Sequence, residues 1–394
     1  MENSSQKYKP KLIVISSRFP YPLQKGDKLR LYYQIRELSE FFDIYLISLS
    51  ESEVVEVHKE KLQTFCKEVH VFQINTISKY FFTCLQVLSS LPFQVGYFTN
   101  PFIKKKIKTL INRIAPDHIY CQLIRVAEYV KDYHLCPKTI DYMDALSLGM
   151  ERRAKNANNP IHRNIFKTES KRLKRYEKQL FDYFEHHSII SKQDKQAIVH
   201  PSKEKIKVIP NGVDDFFFEK PNVPIIYDLV FTGNLSYAPN VEACVFIVKE
   251  LLPLLPKETK VLLAGASPSN IVKSLVSERV HASGWVDDIR ESYAQGKIFI
   301  APMFIGTGLQ NKLLEAMALG IPAITTPLAN NALGASEGKE ILIAETANDF
   351  KNCIEKLNND ARFYETIKAN ARNFVKNKYS WKETTKELIS LVLD

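Results

Sequence analysis

The sequence predicts an α/β protein made of two Rossmann-like, doubly wound domains. Its 394 residues suit two domains better than one. Short apolar runs alternate with helix-like segments, which is typical of parallel sheets covered on both faces. A strand, a glycine-bearing turn and a helix open each half, at residues 11–41 and 226–254.

The first half begins with an apolar strand at residues 11–17 and a loop that contains two prolines and Gly26. Asp27 is expected to cap a helix from residue 28 to about residue 41, with one apolar stripe facing the core. That stripe consists of Leu31, Ile35 and Leu38. The later strand-like runs are 43–49, 69–74, 118–122, 139–142 and 188–191, and the helix-like segments include 79–91 and 100–114.

Two places in this half predict contact with a ligand. The loop after the first strand commonly touches ligand in open α/β sheets, which makes Gly26, Lys28 and Arg30 candidates. The alternative is a plain surface turn. Asp141 and Asp144 come at or just past a strand end, where carboxylates can accept a hydroxyl proton or bind an acceptor sugar. They can equally cap the helix that follows.

The second half repeats the alternation of strands and helices. A glycine turn with Asn234 and Asn240 follows its first strand. The strand-like runs are 226–233, 260–265, 280–283, 297–301, 321–326 and 340–344, and the main helix-like segments are 241–254 and 310–319. Gly320 suits the end of the latter helix.

The segment from residue 301 to 326 indicates an anion site. Gly306 and Gly308 let the backbone approach a ligand, and the helix start directs free N–H groups at it. Lys312 and Glu315 are three residues apart and share one helix face. A cation at the start and a carboxylate one turn deeper suit a diphosphate joined to a sugar with vicinal hydroxyls. The alternative is an ordinary glycine turn beside a solvated ion pair.

The sequence of this segment resembles the donor-binding segment of GT-B glycosyltransferases of the family 4 type. It reads G-T-G-L-Q-N-K-L-L-E-A-M-A-L-G-I-P-A-I-T-T. The resemblance implies two Rossmann-like domains that face each other across a cleft, with the donor bound mainly on the second. It places the domains at 1–207 and 208–375, and it implies that residues 376–394 form a helix crossing back to the first domain.

The resemblance also assigns roles to residues. Glu315 would hold the ribose of the donor. Thr307 stands where a second glutamate is usual, and Asn234 stands near the usual phosphate-clamping Arg and Lys, so phosphate charge would fall to backbone N–H groups, Lys312 and Arg30. Trp285 and Val286 would lie along the base, unless Trp285 is a core residue. The donor-binding candidates are Gly26, Arg30, Gly233, Asn234, Trp285, Val286, Gly306, Thr307, Gly308, Leu309, Lys312 and Glu315, and the catalytic candidates are Lys312, Asp141 and Asp144.

Composition limits the partners. The net charge is +10, and residues 151–180 alone hold ten Lys or Arg against three Glu. This basic stretch is either a solvated helix face or a contact for anionic headgroups at the inner face of a membrane. No nucleic-acid-binding motif accompanies the charge. Six scattered cysteines without a C-x-x-C pair, and the absence of a secretory signal core, predict a cytoplasmic protein.

The sequence therefore predicts a retaining glycosyltransferase that uses a UDP- or GDP-sugar and a cell-surface glycan or lipid-linked acceptor. It predicts no metal and no cofactor, because no D-x-D motif lies at a strand end. Two alternatives remain: a sugar-nucleotide 2-epimerase of the same fold, and a non-catalytic sugar-nucleotide-binding protein. A dinucleotide oxidoreductase is disfavoured, because the first strand lacks G-x-G-x-x-G.

Overall fold

The computed structural model of the chain describes residues 8–23, 25–75, 82–84, 89–155, 157, 159–305 and 309–394. Its contacts divide the chain into two units: Met1–Pro210 with Thr384–Asp394, and Asn211–Glu383. Each unit contains one parallel sheet, so the predicted α/β class with two doubly wound domains is confirmed. Among the described helices, none combines the length and the apolar character needed to cross a membrane.

The first unit has a seven-stranded sheet in the order β3-β2-β1-β4-β5-β6-β7. Successive residues of β1 enter two different cores: Ile13 and Ile15 pack on one face, and Leu12 and Val14 on the other. This explains the unbroken apolar run, because a strand covered on both faces has no solvent side. The strands are β1 Lys11–Ser16, β2 Asp43–Ser50, β3 Cys66–Gln73, β4 His118–Gln122, β5 Lys138–Asp141, β6 His186–Ile189 and β7 Lys207–Val208.

Helices cover both faces of this sheet. They are α1 Gly26–Leu38, α2 Glu56–Gln63, α3 Phe93–Phe98, α4 Pro101–Ile114, α5 Leu146–Lys155, α6 Pro160–Leu180 and α7 Lys192–Ala197. The predicted stripe of α1 is fully buried. The predicted cap is wrong: Lys25 is the N-cap residue, and Asp27 lies in the first turn with its side chain 2.8 Å from Arg18. The helix predicted at 79–91 lies largely outside the described residues.

The second unit has a six-stranded sheet in the order β10-β9-β8-β11-β12-β13. One apolar cluster runs through the unit and includes most of its strand residues. The strands are β8 Tyr227–Thr232, β9 Val261–Ala264, β10 Val280–Gly284, β11 Gly296–Ala301, β12 Ala323–Thr325 and β13 Leu342–Ile343.

The helices of the second unit are α8 Ala238–Phe246, α9 Asn270–Lys273, α10 Ile289–Ala294, α11 Asn311–Ala318, α12 Pro327–Leu333, α13 Ala347–Asn359 and α14 Ala361–Tyr379. The unit ends at Glu383 and not at the predicted residue 375, because α14 packs along α11. A last helix, α15 Trp381–Leu393, follows. Its Leu388, Leu391 and Val392 belong to the same apolar cluster as Leu12 and Val14 of β1.

Candidate active site

The strand order of the second sheet reverses between β8 and β11. Ligands of open α/β sheets bind at such a reversal, outside the carboxyl ends of the strands. Gly233 follows β8 there, with φ +153°, and a Cβ atom on Gly265 after β9 would lie 1.8 Å from the carbonyl oxygen of Gly233. The two turns therefore need glycine in order to pack against each other.

Lys312, in the first turn of α11, reaches the turn after β8. Its Nζ donates a hydrogen bond to Asn240 Oδ1 and lies 4.6 Å from the ring centroid of Phe231. A Cβ atom on Gly233 would lie 3.1 Å from this Nζ, so the ammonium borders bare backbone. Asn240 Nδ2 in turn donates to the carbonyl oxygen of Asn234 over 2.8 Å. The structure thus brings together Gly233, Asn234 and Lys312, three of the predicted residues.

Glu315 lies one turn further along α11 and is half-buried. Its Oε2 accepts a hydrogen bond of 2.7 Å from the Tyr293 hydroxyl, which accepts one of 2.6 Å from Thr232 Oγ1. Among the described residues, Glu315 Oε1 accepts no hydrogen bond. One carboxylate oxygen is therefore fixed and the other is available.

The pair lies in surroundings that disfavour charge. Burial lowers the pKa of Lys312 to about 8, although the Glu315 carboxylate works in the opposite direction. Burial likewise raises the pKa of Glu315, opposed by the Tyr293 hydrogen bond and by Lys312. A ligand that offers an anion to the Lys312 ammonium and hydrogen-bond donors to the Glu315 carboxylate would stabilise both charged forms.

Some of the remaining predicted residues of the second unit lie outside the described residues, and the others differ in their exposure to solvent. Gly306, Thr307 and Gly308 lie outside the described residues, so the anion-binding turn stays a prediction; Leu309 beyond it is half-buried against the core. Trp285 is 68% exposed, so the alternative of a core tryptophan is wrong.

Val286 lines a separate hollow of about 140 Å³ with Tyr227 and Gln295. Within the described ranges, no hydrogen bond joins Trp285 or Val286 to Lys312 or Glu315.

The first unit corrects two predictions. Arg30 Nε lies 2.7 Å from Asp141 Oδ2, both side chains are 0% exposed, and the Tyr120 hydroxyl donates to the same oxygen over 3.0 Å. Arg30 therefore does not reach a donor phosphate, and Asp141 is not open to an acceptor. Asp141 is the last residue of β5, inside the sheet and not past its edge, which explains the burial.

Two other first-unit candidates are accessible or unconstrained. Asp144 is exposed. Gly26 is the first residue of α1, and a Cβ atom there would meet nothing within 4 Å. The structure thus gives no steric reason for glycine at position 26.

Sequence reasoning missed Tyr293 and Thr232. Thr232 could have been found, because it immediately precedes the glycine turn. Tyr293 could not, because it reaches Glu315 from a different helix. No cluster of three His, Cys, Asp or Glu suited to a metal ion occurs in the part of the chain that the structure describes.

Comparisons with known proteins agree with this fold. Residues 227–360 match the family model described as glycosyl transferases group 1. A curated relative from Klebsiella pneumoniae, called an uncharacterized 44.6 kDa protein in the cps region, is 24% identical over 402 residues, which cover 95% of this chain and 97% of the relative.

Two solved structures resemble the whole chain in fold. HepE from Anabaena, in complex with UDP and glucose, has a TM-score of 0.67 and 16% identity, covering 97% of this chain and 98% of that one. A glycosyltransferase from Rickettsia africae has a TM-score of 0.69 and 14% identity, covering 98% and 99%. Residues 227–360 of the second unit thus match the group 1 glycosyl transferases, and the chain as a whole has the GT-B fold of these solved structures.

Proposed function

We propose that this chain is a retaining glycosyltransferase that moves a sugar from a nucleoside diphosphate donor to a cell-surface glycan or lipid-linked acceptor. The observation that carries the proposal is the placement of Lys312 and Glu315 beside the bare Gly233 turn, at the strand reversal of the second sheet. HepE, with the same fold and UDP bound, favours a uridine nucleotide.

The donor diphosphate would lie against the Lys312 ammonium and the backbone N–H groups before α11. Burial of the ammonium makes an anionic partner favourable, because water does not fully solvate the charge. The ribose hydroxyls would donate to Glu315 Oε1, while Oε2 stays on Tyr293. This assigns the half-buried carboxylate a role that a neutral side chain would not fill.

The chemistry then depends on stabilising the leaving group. As the bond from the anomeric carbon to the diphosphate oxygen breaks, negative charge grows on the diphosphate, where Lys312 is already in place. The acceptor oxygen bonds to the same face of the sugar, and its proton passes to a diphosphate oxygen. No separate base is then required, which agrees with the burial of Asp141.

Calorimetry with UDP and UMP tests the two roles separately. Glu315→Gln should weaken both nucleotides by about tenfold or more, because it removes a charged acceptor of ribose hydroxyls. Lys312→Met should weaken UDP more than UMP, and should lower turnover further. Glu355→Gln, an exposed glutamate on α13, is the matched control.

Unchanged UDP and UMP affinity in Glu315→Gln would overturn the ribose role. If wild type bound UDP-sugars tightly but transferred sugar to no acceptor, a binding protein would be favoured instead. Conversion of the UDP-sugar into its 2-epimer without acceptor would favour the epimerase.

We also propose that α6 contacts an anionic membrane. Its two glutamates point inward: Glu169 accepts from the backbone N–H groups of Phe93 and Gln94, and Glu177 accepts from Ser147. The exposed charge of α6 is therefore entirely positive, and Ile161 and Ile165 are exposed beside it. The exposed cations are Arg163, Lys167, Lys171, Lys174, Arg175 and Lys178.

Vesicle sedimentation tests this contact. The protein should bind vesicles containing phosphatidylglycerol and not those of phosphatidylcholine alone, and Lys167→Gln with Lys171→Gln should weaken binding. Lys257→Gln with Lys260→Gln, on an exposed loop of the second unit, is the control. Equal binding to both kinds of vesicle would contradict a charge-driven contact.

A further inference from the structure

The strand order of the first sheet also reverses, between β1 and β4. Two arginines stand just beyond the carboxyl ends of these strands: Arg18 after β1 and Arg125 after β4. Both guanidinium groups lie over the ring of Phe98, with Cζ atoms 6.0 Å and 5.7 Å from its centroid. Two cations from different strands therefore converge on one aromatic ring at the position where open α/β sheets bind ligands.

Three buried donor atoms in this cluster lack acceptors. They are Arg18 Nε, Arg125 Nε and Gln94 Nε2, none of which has a hydrogen-bond partner among the described residues. Gln94 Oε1 accepts from Arg125 Nη2 over 2.9 Å, so its amide lies against the arginine. A buried donor without an acceptor is costly, and three together are unusual in a folded protein.

The charge of the cluster is also only partly compensated. Arg18 Nη1 pairs with Asp27 over 2.8 Å, with Glu51 more distant at 3.9 Å. Within the described ranges, Arg125 has no carboxylate within 4 Å. Burial, and then the neighbouring Arg18, lower the pKa of Arg125. The cluster therefore has unpaired hydrogen-bond donors and excess positive charge, and both favour an anionic ligand.

We propose that Arg18, Arg125 and Gln94 bind a phosphate group of the acceptor substrate. Guanidinium groups match phosphate oxygens in fork geometry, and the amide adds a third donor. The phosphate would belong either to a phosphorylated sugar or to the diphosphate of a lipid-linked sugar. The identification of the ligand as acceptor rests on the proposed function; the anion site itself does not.

Titration calorimetry with pyrophosphate tests the site without turnover. Wild type should bind pyrophosphate at two places. Arg125→Met should weaken pyrophosphate binding at one of these sites by about tenfold or more. The affinity of the other site, which depends on Lys312, should not change. Lys312→Met should do the reverse. Arg113→Met, an exposed arginine on α4, is the matched control.

The outcomes separate the two proposals. If UDP fails to bind but pyrophosphate still depends on Arg125, the proposed function falls and the anion site stands. Pyrophosphate binding that is unchanged in Arg125→Met, or lost equally in Arg113→Met, overturns the site. Should Arg125→Met fail to fold, Arg125→Lys keeps the charge without the fork and is expected to weaken binding by a similar factor.

The source of the phosphate is then distinguished with two probes, glucose 6-phosphate and farnesyl diphosphate. Binding of either that is lost in Arg125→Met supports the site and names the class of acceptor. If neither depends on Arg125, the assignment to an acceptor is wrong.

Discussion

The two sheets place ionisable pairs at comparable positions but treat them in opposite ways. In the first unit, Arg30 and Asp141 are joined and fully buried. In the second, Lys312 and Glu315 are half-buried, and the lysine borders a glycine turn. An ionisable residue near the end of a strand therefore does not by itself indicate a ligand site. It can bind a ligand only if the protein has not already paired its charge with another buried side chain.

Position in the chain explains the difference. Asp141 ends its strand inside the sheet, and Arg30 lies in the buried second turn of α1, so each satisfies the other. Lys312 stands past β11 and its loop, where Asn240, the sulfur of Met303 and an aromatic face meet the ammonium. The first pair stabilises the fold, and the second is left for a ligand.

Removal of Asp141 tests whether the buried pair of the first unit stabilises the fold. Asp141→Ala leaves the Arg30 guanidinium buried without its counter-charge, which should lower the free energy of unfolding by about 3–5 kcal/mol. Arg30→Met combined with Asp141→Leu should restore most of that loss. Urea unfolding followed by circular dichroism measures both. An Asp141→Asn variant that unfolds like wild type but loses transferase activity would show that this carboxylate acts on substrate after all.

Glu177 is a second buried carboxylate of the first unit, and it should make the stability of the fold depend on pH. Burial raises the pKa of Glu177 to about 7, opposed by its hydrogen bonds from Ser147, whereas an unfolded glutamate has a pKa of about 4.3. The folded chain binds the extra proton between these values, so its stability should fall by about 2 kcal/mol from pH 5.5 to pH 8. Glu177→Gln should remove that part of the slope, measured by urea midpoints, whereas exposed Glu204→Gln should not. Parallel slopes for wild type and Glu177→Gln would refute the assignment.

In the second unit, pH should act on the ligand. Because the pKa of Lys312 is about 8 without ligand, its ammonium is present below pH 8 and is lost above it. UDP affinity should fall about twofold from pH 7 to pH 8 and then, at higher pH, toward about tenfold per pH unit. Lys312→Arg stays charged and should bind with a flat profile. Calorimetry across pH 7–10 checks this, and an equally steep decline in Lys312→Arg would point to another group.

The smallest expected effect concerns Tyr293. Tyr293→Phe removes the hydroxyl that links Thr232 to Glu315, at a cost of about 1 kcal/mol in unfolding free energy. It should also raise the pKa of Glu315 further and weaken UDP below neutral pH. Tyr364→Phe, whose hydroxyl bonds to the carbonyl oxygen of Lys297 over 2.8 Å, should lose similar stability without affecting UDP. Equal UDP affinities in the two variants would show that Tyr293 has no role in nucleotide binding.

Local pattern made most of the fold predictable. Apolar runs marked the strands, and the three-residue spacing of Lys312 and Glu315 placed them on one helix turn. The pairing of Arg30 with Asp141 joins residues 111 positions apart, so no local pattern reports it. The same holds for Arg18 with Arg125. The prediction that Asp27 caps α1 was wrong because its side chain pairs with Arg18, a contact that the local sequence pattern does not reveal.

A crystal structure of the chain with UDP tests the central claim most directly. We expect diphosphate oxygens within hydrogen-bond distance of Lys312 Nζ and the ribose hydroxyls on Glu315, with Tyr293 still bound to Oε2. A nucleotide bound elsewhere, with no density between Gly233 and α11, would contradict the account.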